Sequence, residues 1–336
     1  MQFGDIEFIY EEHIIQKVDE KTVVDVYDNV QITKGNDKYP LGYKVNQISI
    51  LKIIRFENKD GSENRGFLTA NEIDSDNREK LIDEHLEAVA KARIENDWIT
   101  AANHYSELGK LENLPTHYAE AGDCFKRMKD DVENLHKAID SYRLAAEFYA
   151  EFKQYGMVAR YYNEIAEIYE NIKNKSAENA KFNSDILEAY KKAKYYFELD
   201  NKPVNGNKCA IKIAEYEVLN GNYTLAAEIL ESVGIFNLDS ALGKFTVKTY
   251  FLNSLLCLLS SDNNQNTREK IRELSQKCPE FADTREYLFI SELTQIVRTN
   301  SPIQSFDKTV SNYSLLNPFT ELQTPLIDTI RGKLSV

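Results

Sequence analysis

The chain has 336 residues, 42% of them hydrophobic, which is enough to bury a sizeable core in one elongated or two compact domains. The formal net charge of −13, from 54 acidic and 41 basic side chains, argues against a general nucleic-acid binder, because attraction to phosphate needs net or local positive charge. No secretory signal opens the chain, and no apolar run approaches the roughly 20 residues that span a bilayer. We therefore expect a cytoplasmic protein whose contact with membranes is at most peripheral.

The first 77 residues have an alternating pattern. Segments 22–27 and 47–54 are rich in β-branched residues, and turn-forming clusters lie at 34–37 and 58–62. This pattern predicts a small β-rich module of antiparallel strands over residues 1–77. The module contains no motif of known chemistry, so its role is left open.

From Glu79 to about Lys333 the period becomes helical, with alanines and aromatic residues three and four positions apart. The triplet Ile-Ala-Glu at 165–167 recurs at 213–215, a period of 48 residues. Self-similarity at 20–50 residues is typical of solenoids, and this period exceeds the roughly 34 residues of a standard tetratricopeptide repeat. Residues 78–336 are therefore predicted to form a mostly α-helical, tetratricopeptide-like solenoid of antiparallel helix pairs, with breaks at 200–203 and 220–222.

Residue types that carry catalysis or bind metals form no recognisable constellation. The five histidines lack metal-ligand spacing, and no glycine-rich phosphate-binding loop is present. Four isolated cysteines are predicted to be buried thiols in a reducing compartment: Cys124, Cys209, Cys257 and Cys278. The aromatic stripes are predicted to pack between helices rather than to form ligand cages. We expect no metal, no cofactor and no enzymatic activity.

Several segments, taken in order, resemble the soluble NSF attachment proteins. The resemblance covers roughly residues 96–332, and each segment is weak alone while their shared order is specific. The segments are NDW at 96–98, YAEAGDCFKR at 118–127, ARYYNEIAEIYE at 159–170, GNKCAIKIA at 206–214, ESVG at 231–234, DSALGKF at 239–245, KTYFL at 248–252 and CPEFADTRE at 278–286.

This resemblance implies a twisted sheet of antiparallel helices that ends in a helical bundle, here from about residue 245. It also implies a non-enzymatic adaptor that wraps SNARE four-helix bundles, with several copies on each bundle. Such an adaptor recruits an NSF-type AAA+ ATPase, which disassembles the SNARE complex in vesicle-mediated transport such as that between ER and Golgi. The implied location is the cytosolic face of endomembranes.

The resemblance also implies site residues. SNARE bundles are acidic outside, so basic side chains on successive helices should contact them, and an apolar footprint should add to this contact. The predicted SNARE-binding residues are Lys126, Arg127, Arg160, Lys208, Lys212, Leu242, Lys244, Phe245 and Arg285. Leu334 is predicted to contact the ATPase. The alternative for any single lysine is an ordinary solvated surface position.

Three departures from the family's pattern keep alternatives open. The N-terminal segment lacks the family's membrane-touching pair of phenylalanines. Gln295, Arg298 and Thr299 stand where the family has glutamates, and the tail RGKLSV at 331–336 replaces an acidic one. The leading hypothesis is the complete adaptor. The second is a SNARE-binding regulator that does not couple to the ATPase, and the third is a repeat scaffold unrelated to SNAREs.

Overall fold

The structure is a computed structural model. It describes the backbone of strands between residues 2 and 69, and then residues 70–175, 179–240, 243–261 and 266–334. Side chains are described from residue 78 onward within those ranges, except at residues 179, 180 and 244. The chain divides into two compact units, Met1–Glu112 and Asn113–Val336.

The first unit begins with short strands that pair antiparallel. They are β1 (Gln2–Phe3), β2 (Ile6–Tyr10), β3 (Ile14–Asp19), β4 (Thr22–Val26), β5 (Val30–Lys34), β6 (Asp37–Pro40), β7 (Lys44–Val45), β8 (Ile48–Glu57) and β9 (Glu63–Thr69). One sheet has the order β1-β2-β5-β6, and a second has β3-β4-β8-β7 with β9 paired to β8. Of the predicted turn clusters, residues 35–36 and 58–62 lie outside the described residues. That residues 1–77 form a module of their own stays a prediction.

Two helices complete the first unit, α1 (Ala70–Ile94) and α2 (Trp98–Glu112). They contact each other through the Arg93 guanidinium, which donates to the Tyr105 hydroxyl at 2.8 Å. The predicted boundary after residue 77 lies inside α1, because the polar stretch at 71–77 belongs to the helix instead of preceding it. The division between the two compact units lies further along the chain, after Glu112.

The second unit is helical throughout its described residues. Its helices are α3 (Pro115–Lys126), α4 (Val132–Glu151), α5 (Tyr155–Lys175), α6 (Asn183–Leu199), α7 (Pro203–Leu219), α8 (Tyr223–Leu238), α9 (Lys244–Ser260), α10 (Thr267–Lys277), α11 (Arg285–Arg298), α12 (Ile303–Ser314) and α13 (Gln323–Lys333). Short 3₁₀ turns cover Asn179–Phe182 and Pro279–Asp283.

Local sequence explains where these helices begin and end. The Asp131 carboxylate accepts from the backbone N–H of Glu133 at 2.9 Å and so caps α4. Proline opens α7, where its missing N–H costs nothing. Asn201 (φ 55°) and Gly221 (φ 79°) adopt left-handed backbone conformations that end α6 and α7. Both breaks predicted from the sequence are confirmed.

Alternate helices of the second unit lie side by side. Tyr216 of α7 donates to Glu170 of α5 at 3.1 Å, and Cys209 of α7 contacts Asn163 of α5 at 3.7 Å, so both contacts join residues 46 positions apart. That constant offset means that α5 and α7 run parallel. Consecutive helices run antiparallel instead, as ring contacts join Tyr162 near the start of α5 to Tyr196 near the end of α6. The predicted helix-pair solenoid is confirmed, although α3, α5, α7 and α9, which begin at residues 115, 155, 203 and 244, start 40, 48 and 41 residues apart.

Small residues and aromatic rings build the core. Tyr142 is fully buried over Gly122, and Phe251 is fully buried over Gly234. The prediction that the aromatic stripes pack between helices is therefore confirmed. One continuous apolar cluster extends from α7 and α8 into α9–α13, so the C-terminal helices share their core with the end of the solenoid.

Three of the four cysteines are buried as predicted, whereas Cys278 is only partly buried because it lies in the turn after α10. None of the helices within the described ranges is long and apolar enough to cross a bilayer.

Candidate partner-binding face

Helices α3, α5 and α7 carry five of the predicted basic residues. Lys126 and Arg127 lie at the end of α3, Arg160 in the second turn of α5, and Lys208 and Lys212 in the middle of α7. A salt bridge between Lys126 and Glu164 joins α3 to α5, and one at 3.8 Å between Lys212 and Glu170 joins α7 to α5. We define these five basic residues as the basic face.

Two members of the basic face already have acidic partners. Besides Glu170, Lys212 forms a salt bridge with Glu215 of its own helix at 3.0 Å. Burial lowers the pKa of Lys212, but its hydrogen bond to Glu215 and the charges of Glu215, Glu170 and Glu321 outweigh this effect and raise the pKa overall. Lys126 is held in a similar way by Glu164. A partner's carboxylate would have to compete with these internal ones.

Arg160 and Lys208 differ from those two lysines. Both are exposed, and neither forms an ion pair anywhere in the described part of the chain. Arg160 lies one turn before Glu164 and Lys208 one turn before Lys212, so each shares a helix face with its neighbour. The Arg160 guanidinium carbon is 5.9 Å from the ring centroid of Tyr161. Within the basic face, Arg160 and Lys208 therefore offer positive charge to a partner without competition from an internal carboxylate.

The other predicted contact residues lie near α9 and α11. Phe245, in the first turn of α9, is 78% exposed, which is unusual for a phenylalanine. Arg285 is exposed at the start of α11. Leu242 lies outside the described residues, as does the side chain of Lys244, the first residue of α9.

Sequence reasoning missed a cleft that adjoins Lys208. It has a volume of about 680 Å³ and lies between α7, α8 and the start of α9. Val204 and Phe236 line it and are 60% and 42% exposed. The only sequence signal is a spacing along α7, where Val204, Lys208 and Ile211 recur at i, i+4 and i+7 and therefore lie on one stripe of the helix.

The C-terminal end differs from what its sequence suggests. The side chain of Leu334, the predicted ATPase contact, is partly buried against the apolar cluster of the last helices. The Arg331 guanidinium donates to both carboxylate oxygens of Asp307, at 2.8 and 3.0 Å. The Lys333 ammonium donates to the backbone carbonyl of Ser261 at 2.8 Å. Both basic residues of the tail are thus engaged within the chain.

The last turn of α11 presents polar and basic side chains. Gln295, Arg298 and Thr299 are all exposed, and Arg298 donates to the Gln295 side-chain oxygen at 3.1 Å. No carboxylate stands at these three positions, where the resemblance leads one to expect glutamates.

Among the described residues, His, Cys, Asp and Glu side chains form no group of three or more that could hold a metal ion. The described residues of the second unit present a charged helical face and, beside it, an apolar cleft. Both are features of a surface that binds another macromolecule.

A family model described as "Soluble NSF attachment protein, SNAP" matches residues 58–335. The chain belongs to the soluble NSF attachment protein family. The match extends further toward the N-terminus than residue 96, where the resemblance in the sequence begins, and it includes the whole second unit apart from the last residue.

Relatives of this SNAP-family chain come from distant eukaryotes. It is 25% identical over 257 residues to the alpha-soluble NSF attachment protein of Homo sapiens, a match that covers 73% of this chain and 82% of that protein. The alpha-soluble NSF attachment protein of Saccharomyces cerevisiae is 27% identical over 202 residues, a match that covers 60% of this chain and 65% of that protein. A probable vesicular-fusion protein sec17 homolog of Neurospora crassa is 24% identical over 263 residues, and this match covers 76% of this chain and 86% of that protein.

Proposed function

We propose that this chain is a non-enzymatic adaptor that binds SNARE four-helix bundles and recruits an NSF-type AAA+ ATPase for their disassembly in vesicle transport. Family membership supports the adaptor role, and the basic face supports SNARE binding. We place the adaptor at the cytosolic face of endomembranes, with several copies around one SNARE bundle. Phosphate-rich nucleic acid is not a proposed partner, because the chain as a whole carries a net charge of −13.

The observation that carries this proposal is the placement of two exposed cations, Arg160 and Lys208, on α5 and α7. They lie on parallel helices joined by the contacts of Glu170 and Asn163, and both are exposed without an ion pair in the described residues. An acidic helical bundle laid across α5 and α7 would meet both cations at once. Each exposed pair contributes only about 0–1 kcal/mol, so affinity must come from several pairs acting together.

The remaining predicted residues have graded roles in this proposal. Lys126 and Lys212 contribute less than Arg160 and Lys208, because internal carboxylates already neutralise them. Phe245 supplies an apolar contact beside the charges, since its exposed ring would be desolvated by a bound helix. Arg127, Leu242, Lys244 and Arg285 extend the surface at its two ends.

The test is capture of an assembled SNARE four-helix bundle made from purified cytosolic segments. Arg160→Glu combined with Lys208→Glu should abolish capture, and wild-type capture should weaken with salt because screening acts over roughly 8–10 Å at 0.1–0.15 M. The matched control is Arg272→Glu combined with Lys308→Glu. That pair changes the net charge equally and involves an exposed Arg and an exposed Lys on α10 and α12. Equal capture by both double variants would remove the basis of the proposal.

A second function is favoured by α11. Because Gln295, Arg298 and Thr299 replace the expected glutamates, the chain has lost charge with which to engage a basic ATPase surface. In this alternative the protein holds SNARE bundles as a regulator without coupling to the ATPase, and the N-terminal strands serve another partner. ATP-dependent disassembly of a SNARE bundle by the ATPase with this protein decides between the two functions.

A further inference from the structure

The cleft between α7, α8 and α9 combines three chemical features. Its walls are largely apolar, formed by residues such as Val204, Ile211, Phe236 and Tyr250. Lys208 stands on its α7 wall, in the same helical stripe as Val204 and Ile211. The cleft therefore joins the basic face directly, since Lys208 belongs to both.

A polar group in the wall of the cleft is also unsatisfied. The side-chain nitrogen of Asn207 is buried and has no hydrogen-bond partner among the described residues. A buried donor without an acceptor costs on the order of 1–3 kcal/mol, and such groups are uncommon in folded proteins.

The apolar side chains at the rim of the cleft also indicate a binding site, because they are exposed. Val204 and Phe236 remain 60% and 42% exposed, although both line a concave surface. Apolar side chains around a concave surface contribute to association when a partner covers them, because their removal from water is favourable. A volume of about 680 Å³ is ample for one large side chain and part of the helix that carries it.

From these features we propose that the cleft is an anchor site for one large apolar side chain on the surface of the bound acidic helical bundle. A carboxylate of that bundle, near the apolar side chain, pairs with Lys208. The proposal rests on the proposed function, since the occupant is the same SNARE bundle. It assigns Val204 and Phe236 a role in recognising that partner, which a purely electrostatic face would not need.

Charges around the cleft fix the orientation of the occupant. Lys208 lies on the α7 wall, whereas Asp239, which also lines the cleft, lies just past the end of α8. A partner's carboxylate is attracted to the α7 wall and repelled from the α8 end. The apolar side chain then enters between Val204 and Phe236, and its helix crosses α7 near Lys208.

The decisive measurement is the affinity for the assembled SNARE bundle at 0.1 M and at 0.5 M salt. Val204→Ser combined with Phe236→Ser leaves every charge in place, so it should weaken binding about tenfold at both salt concentrations, as loss of one apolar anchor would. The matched control is Phe152→Ser combined with Leu225→Ser. These residues are 58% and 42% exposed and do not line the cleft, so this variant should bind like the wild type.

The possible results distinguish failure of the anchor proposal from failure of the proposed function. Wild-type affinity of the Val204/Phe236 variant, or an effect that appears at low salt only, would overturn the anchor and leave the proposed function intact. Absence of binding by the wild-type chain would instead remove the proposed function. A photo-crosslinking amino acid at position 204 gives an independent arm that needs no stable serine variant. The crosslinker at position 204 should form a product with a surface helix of the bundle. The same group at position 225 is the control and should form none. Equal products from both positions would contradict the anchor proposal.

Discussion

At the scale of single residues, Tyr142 links the core of the solenoid to a surface charge. Its ring is fully buried, while its hydroxyl donates to the Asp123 carboxylate at 2.5 Å. Burial raises the pKa of Tyr142, and the hydrogen bond and charge of Asp123 raise it further, so the phenol stays protonated as a donor. The ring fills the space over Gly122 and the hydroxyl fixes its direction.

Removing that hydroxyl tests the role of the hydrogen bond. Tyr142→Phe keeps the packing and deletes the donor, so we expect a loss of about 1 kcal/mol in the free energy of unfolding measured with urea. The loss is not larger because Asp123 is exposed and water replaces the donor. Tyr195→Phe, at an exposed position on α6, is the control and should change nothing. Equal stability of both variants would show that the hydrogen bond contributes no net stability.

The cysteines give a second prediction at this scale. Burial raises the pKa of Cys257 to about 12 and that of Cys209 to about 11, so almost no reactive thiolate exists at pH 8. Cys278 is only partly buried. With a chromogenic disulfide reagent at pH 8, the native protein should therefore release about one equivalent quickly and the unfolded protein about four. Cys278→Ser should remove the fast phase, and a fast phase that survives in this variant would mean that one of the buried helices opens readily.

At the scale of helices, the contact between α8 and α9 depends on a missing side chain. A methyl group placed on Gly234 would lie 2.7 Å from Cε1 of Phe251, whose ring is fully buried. Glycine therefore stands inside α8, one turn before its end, despite its low helix propensity, because it lets the ring of Phe251 lie against the backbone.

We expect Gly234→Ala to lower the free energy of unfolding by about 1–3 kcal/mol, since overpacking exceeds the gain in helix propensity of about 1 kcal/mol. Gly332→Ala is the matched control. It also replaces a helical glycine, but nothing lies within 4 Å of the added methyl group, so the variant should be as stable as the wild type or more so. Thermal melting of both variants measures the difference. A stable Gly234→Ala variant would mean that α8 and α9 can move apart at little cost.

Much of this helical architecture could be predicted from local sequence, because its signals are local. The spacing of small and aromatic residues identifies buried faces, and the turn-forming clusters that contain Asn201 and Gly221 mark the ends of α6 and α7. The internal salt bridges could not be predicted. Lys126 meets Glu164 across 38 residues, and no pattern in one sequence specifies which side chains of neighbouring helices become partners. The sequence thus placed candidate contact residues on what the structure shows as α3, α5 and α7, and their role as a binding site stays a prediction. It could not divide them into paired and available cations.

At the scale of the whole molecule, the boundary between the two units also could not be predicted from the sequence. A change in composition near residue 77 was visible, yet α1 runs through it and the units divide after Glu112. The cleft beside Lys208 also could not be predicted, because its walls come from three helices that meet only in the folded chain.

Truncation tests this organisation. Deleting residues 1–77 or residues 1–112 leaves the second unit whole, so both products should be soluble, helical and cooperative in thermal melting. Circular dichroism and the width of the melting transition are the measurements. A deletion ending at residue 150, inside α4, is the comparison and should melt without cooperativity because it exposes the apolar face of α5. If the 1–112 deletion behaves like that comparison, the first unit is required for the second to fold.

The tail carries the last prediction. Coupling of SNAP proteins to their ATPase is expected to use an acidic C-terminal surface and a terminal leucine. Here Arg331 and Lys333 precede Leu334 in the sequence, and Arg298 stands where a glutamate is expected. Like charges that face each other disfavour association, so we expect weak stimulation of a standard NSF-type ATPase by the wild-type chain. Lys333→Glu together with an acidic stretch inserted before Leu334 should increase the rate of ATP hydrolysis.

The structure supplies the control that this experiment needs. The Lys333 ammonium donates to the Ser261 carbonyl, so Lys333→Glu both removes a hydrogen bond and adds an acid. Lys333→Gln removes the ammonium without adding an acid, and it should therefore stimulate the ATPase less than the acid-tailed variant does. Leu334 is partly buried, so Leu334→Ala must be checked by thermal melting before its effect on ATP hydrolysis is interpreted. Full stimulation by the unmodified chain, lost in a stably folded Leu334→Ala variant, would contradict the charge argument, because the leucine would then couple the adaptor to the ATPase despite its basic surroundings.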